Sequence, residues 1–211
     1  QAEALRKLRE YQVAEPSEFV LSLVASAVAA EADWVRMDSK RGGFRLEHNG
    51  ATVPHGLLVN LFSTLLEGRT DRNFTTVREL AFGLNALSAL RPSRVRVTCS
   101  SAEELVLLEL NQDKLQVIQA EPFETYGNNR STIVEAQSLK GNFSSMILRR
   151  VRQAPELEIL QRRCCFSPIP VYWGDRRLQC LNPAPPAQCT MKVGNPPAIE
   201  ELDWPAARIV A

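Results

Sequence analysis

The chain is poor in the groups that carry most enzyme chemistry. It holds two histidines, His48 and His55, and five cysteines among which no CxxC pair occurs, so a structural zinc site is not expected. The odd cysteine count and the adjacent Cys164 and Cys165 fit thiols kept reduced in a cytoplasm and packed as small hydrophobes. Neither GxGxxG nor GxxxxGK[ST] is present, which removes two common phosphate cradles, and there is no GxSxG nucleophile turn. One sign of charge does not dominate: 25 Lys and Arg stand against 24 Asp and Glu, leaving no global field to attract nucleic acid or an anionic membrane. A long hydrophobic run is missing too. The most apolar stretch, "FVLSLVASAVAA" (19–30), is broken by serines and is too short to span a bilayer. No basic start leads into an apolar segment with a small-residue cleavage site, so no signal peptide is expected. The chain opens on Gln rather than Met, as a piece of a longer protein would. A cytoplasmic protein without a membrane partner is the expectation.

What is present is a full core's worth of apolar residues, 45% of 211, enough for one domain with a small appendage. Leu5, Leu8 and Tyr11 are spaced for a short amphipathic helix over 2–12. A second helix follows Pro16, with Ser17 as its N-cap. It is apolar on most faces, as a helix buried against a sheet would be. "DWVRMDS" and "GFRLEHNG" read as a hairpin. "ATVPHGLLVNLFSTLLEG" reads as a helix started near Pro54 and stopped by Gly68. "RTDRNFTT" is expected as a polar loop and "VRELAFGLNALSAL" as the next helix, ended before "RPS". Strands are expected at 93–100, 104–110, 114–120 and 130–138, then helices over "NFSSMILRRVRQA" and "PELEILQRRCC", and a closing hairpin around Gly174 and Asp175. From Asn182 the chain is proline-rich and weakly periodic, as a tail or linker is. Helices, strands, helices, strands in that order predict an α/β fold. It is a two-layer sandwich in which helices cover a mixed, largely antiparallel sheet, without Rossmann alternation. The expected division is an N-terminal helix over 1–15, the α/β domain over 16–181 and the tail over 182–211.

This order, with "HNG" (48–50) closing the second strand and "ELAFGLNALSAL" (79–90) in the third helix, resembles the GHKL superfamily of gyrase B, HtpG-type chaperones, histidine kinases and MutL. The resemblance covers roughly residues 16–175 and implies the Bergerat-type nucleotide fold of an HSP90-like ATPase, with ATP or ADP as ligand. It also implies a role for single residues. Ser22 falls where the family carries the glutamate that activates water, and Ser26 where it carries the magnesium-binding asparagine. A serine hydroxyl is too weak a base for the first task, and general-base catalysis is worth ~10²–10⁴ in rate. At the second it lacks the reach of a carboxamide oxygen, which leaves magnesium with a weak hold. His48 replaces the aspartate that reads the adenine amine, and it accepts such a bond only when neutral. Asn49 and Gly50 follow as in the family, while Thr52 stands where a second glycine is usual. Gly83 and Asn85 match the glycines of the phosphate-binding helix start. Thr132 matches the threonine that closes the pocket from the sheet, and Arg69 and Arg72 sit where a lid would reach phosphates.

The implied function is a degenerate GHKL-type domain. It would act as a regulatory or interaction module toward a protein partner or a further domain of the same chain, with hydrolysis lost. Plain structural readings stand beside each assignment. Ser22 and Ser26 can be small residues bonded back to the preceding turn, and His48-Asn49-Gly50 a turn after a strand. Gly83 is either a helix start or a packing residue inside a helix. Two other functions stay open. One is a chaperone-like ATPase that uses Glu31, Asp33 or Glu47 as its carboxylate. The other is an arginine-mediated binding module, with its pocket closed by Trp34, Phe62 or Phe82, that uses Arg149, Arg150, Arg152, Arg162, Arg163, Arg176 and Arg177. Aromatic residues seldom interleave with those arginines, so nucleic acid is the less favoured partner.

Overall fold

The computed structural model describes residues 16–39, 43–69, 71–111, 114–120, 130–137, 154–178, 189–193 and 200–204. The helix expected over 2–12 lies outside these residues, as does that over 142–154 apart from Ala154, together with Arg149, Arg150 and Arg152. A 3-10 turn, Pro16–Glu18, leads into α1 (Phe19–Ala29). Ser17 is therefore inside the turn, and the N-cap is Glu18, which makes no side-chain capping bond. Strands β1 (Val35–Asp38) and β2 (Phe44–His48) form the expected hairpin, with Val35 opposite His48 and Asp38 opposite Arg45. The helix expected after Pro54 comes in two pieces. The short α2 (His55–Val59) ends at Asn60, and Leu61–Leu66 continues as 3-10 turns.

α3 (Arg72–Leu87) starts well before the sequence pattern suggests. Its N-cap is Asp71, whose carboxylate accepts the Phe74 N–H at 3.0 Å. Such a cap is worth about 1 kcal/mol, and the helix it starts takes in residues 72–76 of the loop expected over 69–76. After a 3-10 turn at Ser88–Leu90 come β3 (Arg94–Ser100), β4 (Leu105–Asn111), β5 (Lys114–Ala120) and β6 (Ser131–Gln137). Then follow α4 (Pro155–Arg163), β7 (Val171–Trp173) and β8 (Arg176–Arg177).

These eight strands make one open sheet in the order β5-β4-β3-β6-β2-β1-β7-β8. Every neighbouring pair is antiparallel except β1 and β7. The α/β sandwich with a mixed, largely antiparallel sheet is thus what the chain forms. Period-two alternation gives the sheet two chemically different faces. Met37, Leu46, Val97, Leu108 and Val134 point to one side and are buried, joining α1 and α3 in a single core. Phe19 of α1 meets Phe44 of β2 edge-on, with ring centres 5.0 Å apart. Arg45, Glu47, Arg96, Glu109 and Glu135 alternate onto the other side and pair with one another there.

Contacts within 179–211 form a separate unit. In it β9 (Cys189–Val193) and β10 (Glu200–Trp204) pair antiparallel. A strand pair therefore stands inside the stretch expected as an aperiodic tail.

Candidate functional site

The residues singled out by the resemblance gather where α1, α3 and the end of β2 meet. α1 carries small residues, and α3 approaches it closely at Gly83. A Cβ added there would lie 2.6 Å from Leu23 Cδ2 and 2.8 Å from Leu23 Cγ. Leu23 is itself buried, and its backbone nitrogen would stand 3.3 Å from the added atom. Gly83 is thus well inside a helix that begins at Arg72, and of the two readings of this glycine the structure gives the packing one. Asn85, two residues on, is also buried in α3.

Ser26 faces the same helix. Its hydroxyl donates to the Thr76 carbonyl of α3 at 2.9 Å, in a buried position. The bond runs across to the neighbouring helix instead of back along its own, so the serine ties two helices together. Ser22, one turn earlier, is half-buried.

The "HNG" stretch finishes α1. The last carbonyls of a helix have no partner within it, and here each is supplied. Ala30 and Ala32 donate their N–H groups to the carbonyls of Ser26 and Ala27 at 2.9 and 3.0 Å, and Glu31 donates to Val28 at 3.0 Å. Arg72 Nε donates to the Ala29 carbonyl at 3.1 Å, and the Ala51 N–H donates to Ala30 at 2.8 Å. Arg72 also pairs with Glu31, and its cation sits at the negative end of the helix dipole, a favourable place for it. Gly50 permits this approach. A Cβ on it would stand 2.8 Å from both the Cβ and the carbonyl oxygen of Ala30. The chain leaves the helix through Glu31, at φ 52°. Asn49 holds the next turn: its Oδ1 accepts the Asp33 N–H at 2.9 Å, and its Nδ2 donates to the Asp33 carboxylate at 3.0 Å.

His48 lies beneath this turn, only 3% exposed. Its Nδ1 accepts the Gly50 N–H at 3.2 Å, which leaves the ring proton on Nε2. Burial pushes its pKa down to about 4, so the ring is neutral near pH 7. The one acceptor of the neutral ring is thus engaged by the protein's own backbone, and what remains is a donor. Across the sheet, His48, Thr132 and Cys99 share a register row on the core face. Thr132 Oγ1 lies 3.9 Å from Cys99 Sγ. Burial raises the Cys99 thiol to about 11, which makes it inert as a nucleophile.

The carboxylates considered as replacement bases are occupied or point elsewhere. Glu31 holds Arg72 and Asp33 holds Asn49. Glu47 projects from the sheet face opposite to His48 and pairs with Arg45 at 3.1 Å. Among the described residues, no group of three or more His, Cys, Asp or Glu side chains is placed to hold a metal ion. Arg69 lies over the Phe74 ring and pairs with Asp71, bracing the start of α3. Of the aromatics expected to plug a pocket, Phe62 packs against the core, Phe82 is half-buried and Trp34 lies against Arg36.

A groove of about 750 Å³ runs along α1, lined by Leu21, Val24, Val28, Glu79, Arg163 and Phe166 among others. None of the residues assigned by the resemblance lines it. The role of Arg72 at the end of α1 escaped the sequence reading. A signal for it exists: α1 ends in alanines with no glycine or basic residue of its own to close it, so its cap must come from elsewhere. No protein-family model matches this chain, and no curated protein matches it.

Proposed function

We propose that this chain is a degenerate GHKL-type domain that serves as a protein-interaction or regulatory module and does not turn over ATP. The observation that carries the reading is the engagement of the polar groups at the would-be nucleotide contacts. Ser26 is bonded to α3, the His48 acceptor to Gly50, and Asn49 to Asp33. Gly83, where the family begins a phosphate-binding helix, is held against Leu23. An adenine amine needs an acceptor, and His48 presents a donor. Displacing the Ser26 and His48 bonds to admit a nucleotide would leave buried groups unsatisfied, at about 1–3 kcal/mol each.

The test is calorimetric titration with ATP and ADP, with and without magnesium, alongside phosphate release. We expect no magnesium-dependent turnover. Hydrolysis that disappears in His48→Ala would overturn the reading, and survival of that hydrolysis in Glu47→Gln would exclude Glu47 as its base.

A further inference from the structure

The arginines on the solvent face of the sheet fall into two groups. Across the middle they are neutralised: Arg45 bonds Glu47 at 3.1 Å and Glu135 at 2.7 Å, while Arg94 and Arg96 share Glu109. At the far edge they are not. Arg36, Tyr172 and Arg177 form one register row across β1, β7 and β8 and so point to the same side. The Arg36 guanidinium lies over the Trp34 ring, 5.6 Å from its centre, and over the Tyr172 ring at 5.8 Å. Glu47 stands opposite Arg36 on β2, yet its carboxylate turns to Arg45. Arg36 and Arg177 are exposed, and neither pairs with a carboxylate among the described residues. Two further carboxylates flank the row: Asp38, two residues along β1 on the same side as Arg36 and opposite Arg45, and Asp175, in the turn between β7 and β8.

A guanidinium resting on aromatic rings is held in place by cation–π attraction while its N–H edge stays available. That edge matches a carboxylate in a bidentate geometry, and a pre-oriented fork loses little freedom on binding. The Cα atoms of Arg36 and Arg177 are two strand spacings apart, about 9–10 Å, a distance an extended polyproline-II chain covers in three residues at about 3.1 Å each, with its first and fourth side chains on one side. We infer that this row is a docking strip for an extended acidic peptide of a partner protein, with one carboxylate on Arg36 and another on Arg177.

The inference rests on the interaction-module reading and names the chemistry of its partner. A nucleic acid fits less well, because its backbone needs a continuing track of cations and this strip is bordered by Glu47, with Glu135 and Glu109 farther across the same face. Base stacking also needs open ring faces, and Arg36 covers one face each of Trp34 and Tyr172.

The experiment is fluorescence anisotropy with the full chain and a labelled peptide of glutamates separated by pairs of prolines, which hold the three-residue period. Its glutamine counterpart and a short oligothymidine serve as competing arms. Saturable binding of the glutamate peptide alone is expected, weakened about tenfold in Arg36→Gln and in Arg177→Gln, as for the loss of one charge-assisted contact. Arg94→Gln, on the same face but already neutralised, and whose partner Glu109 stays paired with Arg96, should bind as the unaltered chain does. The inference fails if no saturable binding occurs, if Arg94→Gln weakens binding as much as Arg36→Gln, or if oligothymidine binds more tightly than the peptide. Phosphate release is a separate readout, so failure of the strip and failure of the non-hydrolysing reading are distinguished.

Discussion

β1 has two neighbours, and they contrast. On the β2 side it borders His48 and the junction with α1, where Ser26, Asn49, Gly50 and Arg72 are joined to partners within the protein. On the β7 side it borders Tyr172, where Arg36 and Arg177 are exposed and paired with no carboxylate among the described residues. Sequence motifs draw attention to the first region, and unused bonding capacity draws it to the second. A polar residue at a family position says little about ligands until its donors and acceptors are accounted for, because burial requires them to be satisfied in any case.

The contrast can be strained hardest with acid. The folded pKa of His48, about 4, lies below its ordinary 6.5, so between these values the unfolded chain binds the extra proton. Stability contributed by the neutral ring is whole above about pH 6.5 and declines as pH falls toward 4, by about 3 kcal/mol in total. Urea midpoints at the two ends of that window should show the loss, and His48→Gln should remove this share of it. An unchanged pH dependence in the variant would assign the effect to another group.

A smaller effect is expected from Gly50→Ala, whose methyl group would press on the Ala30 backbone. Overpacking of this kind costs about 1–3 kcal/mol, read as a lower thermal midpoint. A midpoint unchanged from the parent would mean that the turn and α1 are not in close contact.

The smallest effects sharpen the comparison itself. Arg72→Gln should cost about 1 kcal/mol through loss of its bond to the Ala29 carbonyl. Arg36→Gln, an exposed edge substitution, should change stability by less than about 0.5 kcal/mol. Equal losses from the two, measured by denaturant titration, would erase the distinction between a structural and an uncommitted arginine.

The strands were largely legible, because alternation such as Val95, Val97 and Cys99 inward against Arg94 and Arg96 outward survives in the sequence. The early start of α3 was harder to see. Its first turn is polar, and the signal was the single capping residue Asp71. The hairpin in the C-terminal stretch was hidden by its prolines. At the site, "HNG" was visible as the end of a strand, but its purpose depends on partners separated along the chain: Asn49 with Asp33, Gly50 with Ala30, Arg72 with Ala29. No local pattern encodes such pairings. Gly83 looked like a phosphate glycine for the same reason that it suits packing, since both tasks need a missing side chain. Arg36 and Tyr172 are brought together only by the parallel pairing of β1 with β7.

That parallel pairing also sets a schedule. The hairpin of β1 with β2 and the meander of β3, β4 and β5 join segments close in sequence, and such contacts form early. β7 and β8 are the last strands of the eight-stranded sheet to be synthesised and must return to a strand from its start. A nascent or truncated chain would therefore own the buried junction's components but not the cationic edge, which comes into being only with the final strands. A partner that grips Arg36 and Arg177 together would thereby distinguish copies whose sheet is complete from copies whose sheet is not.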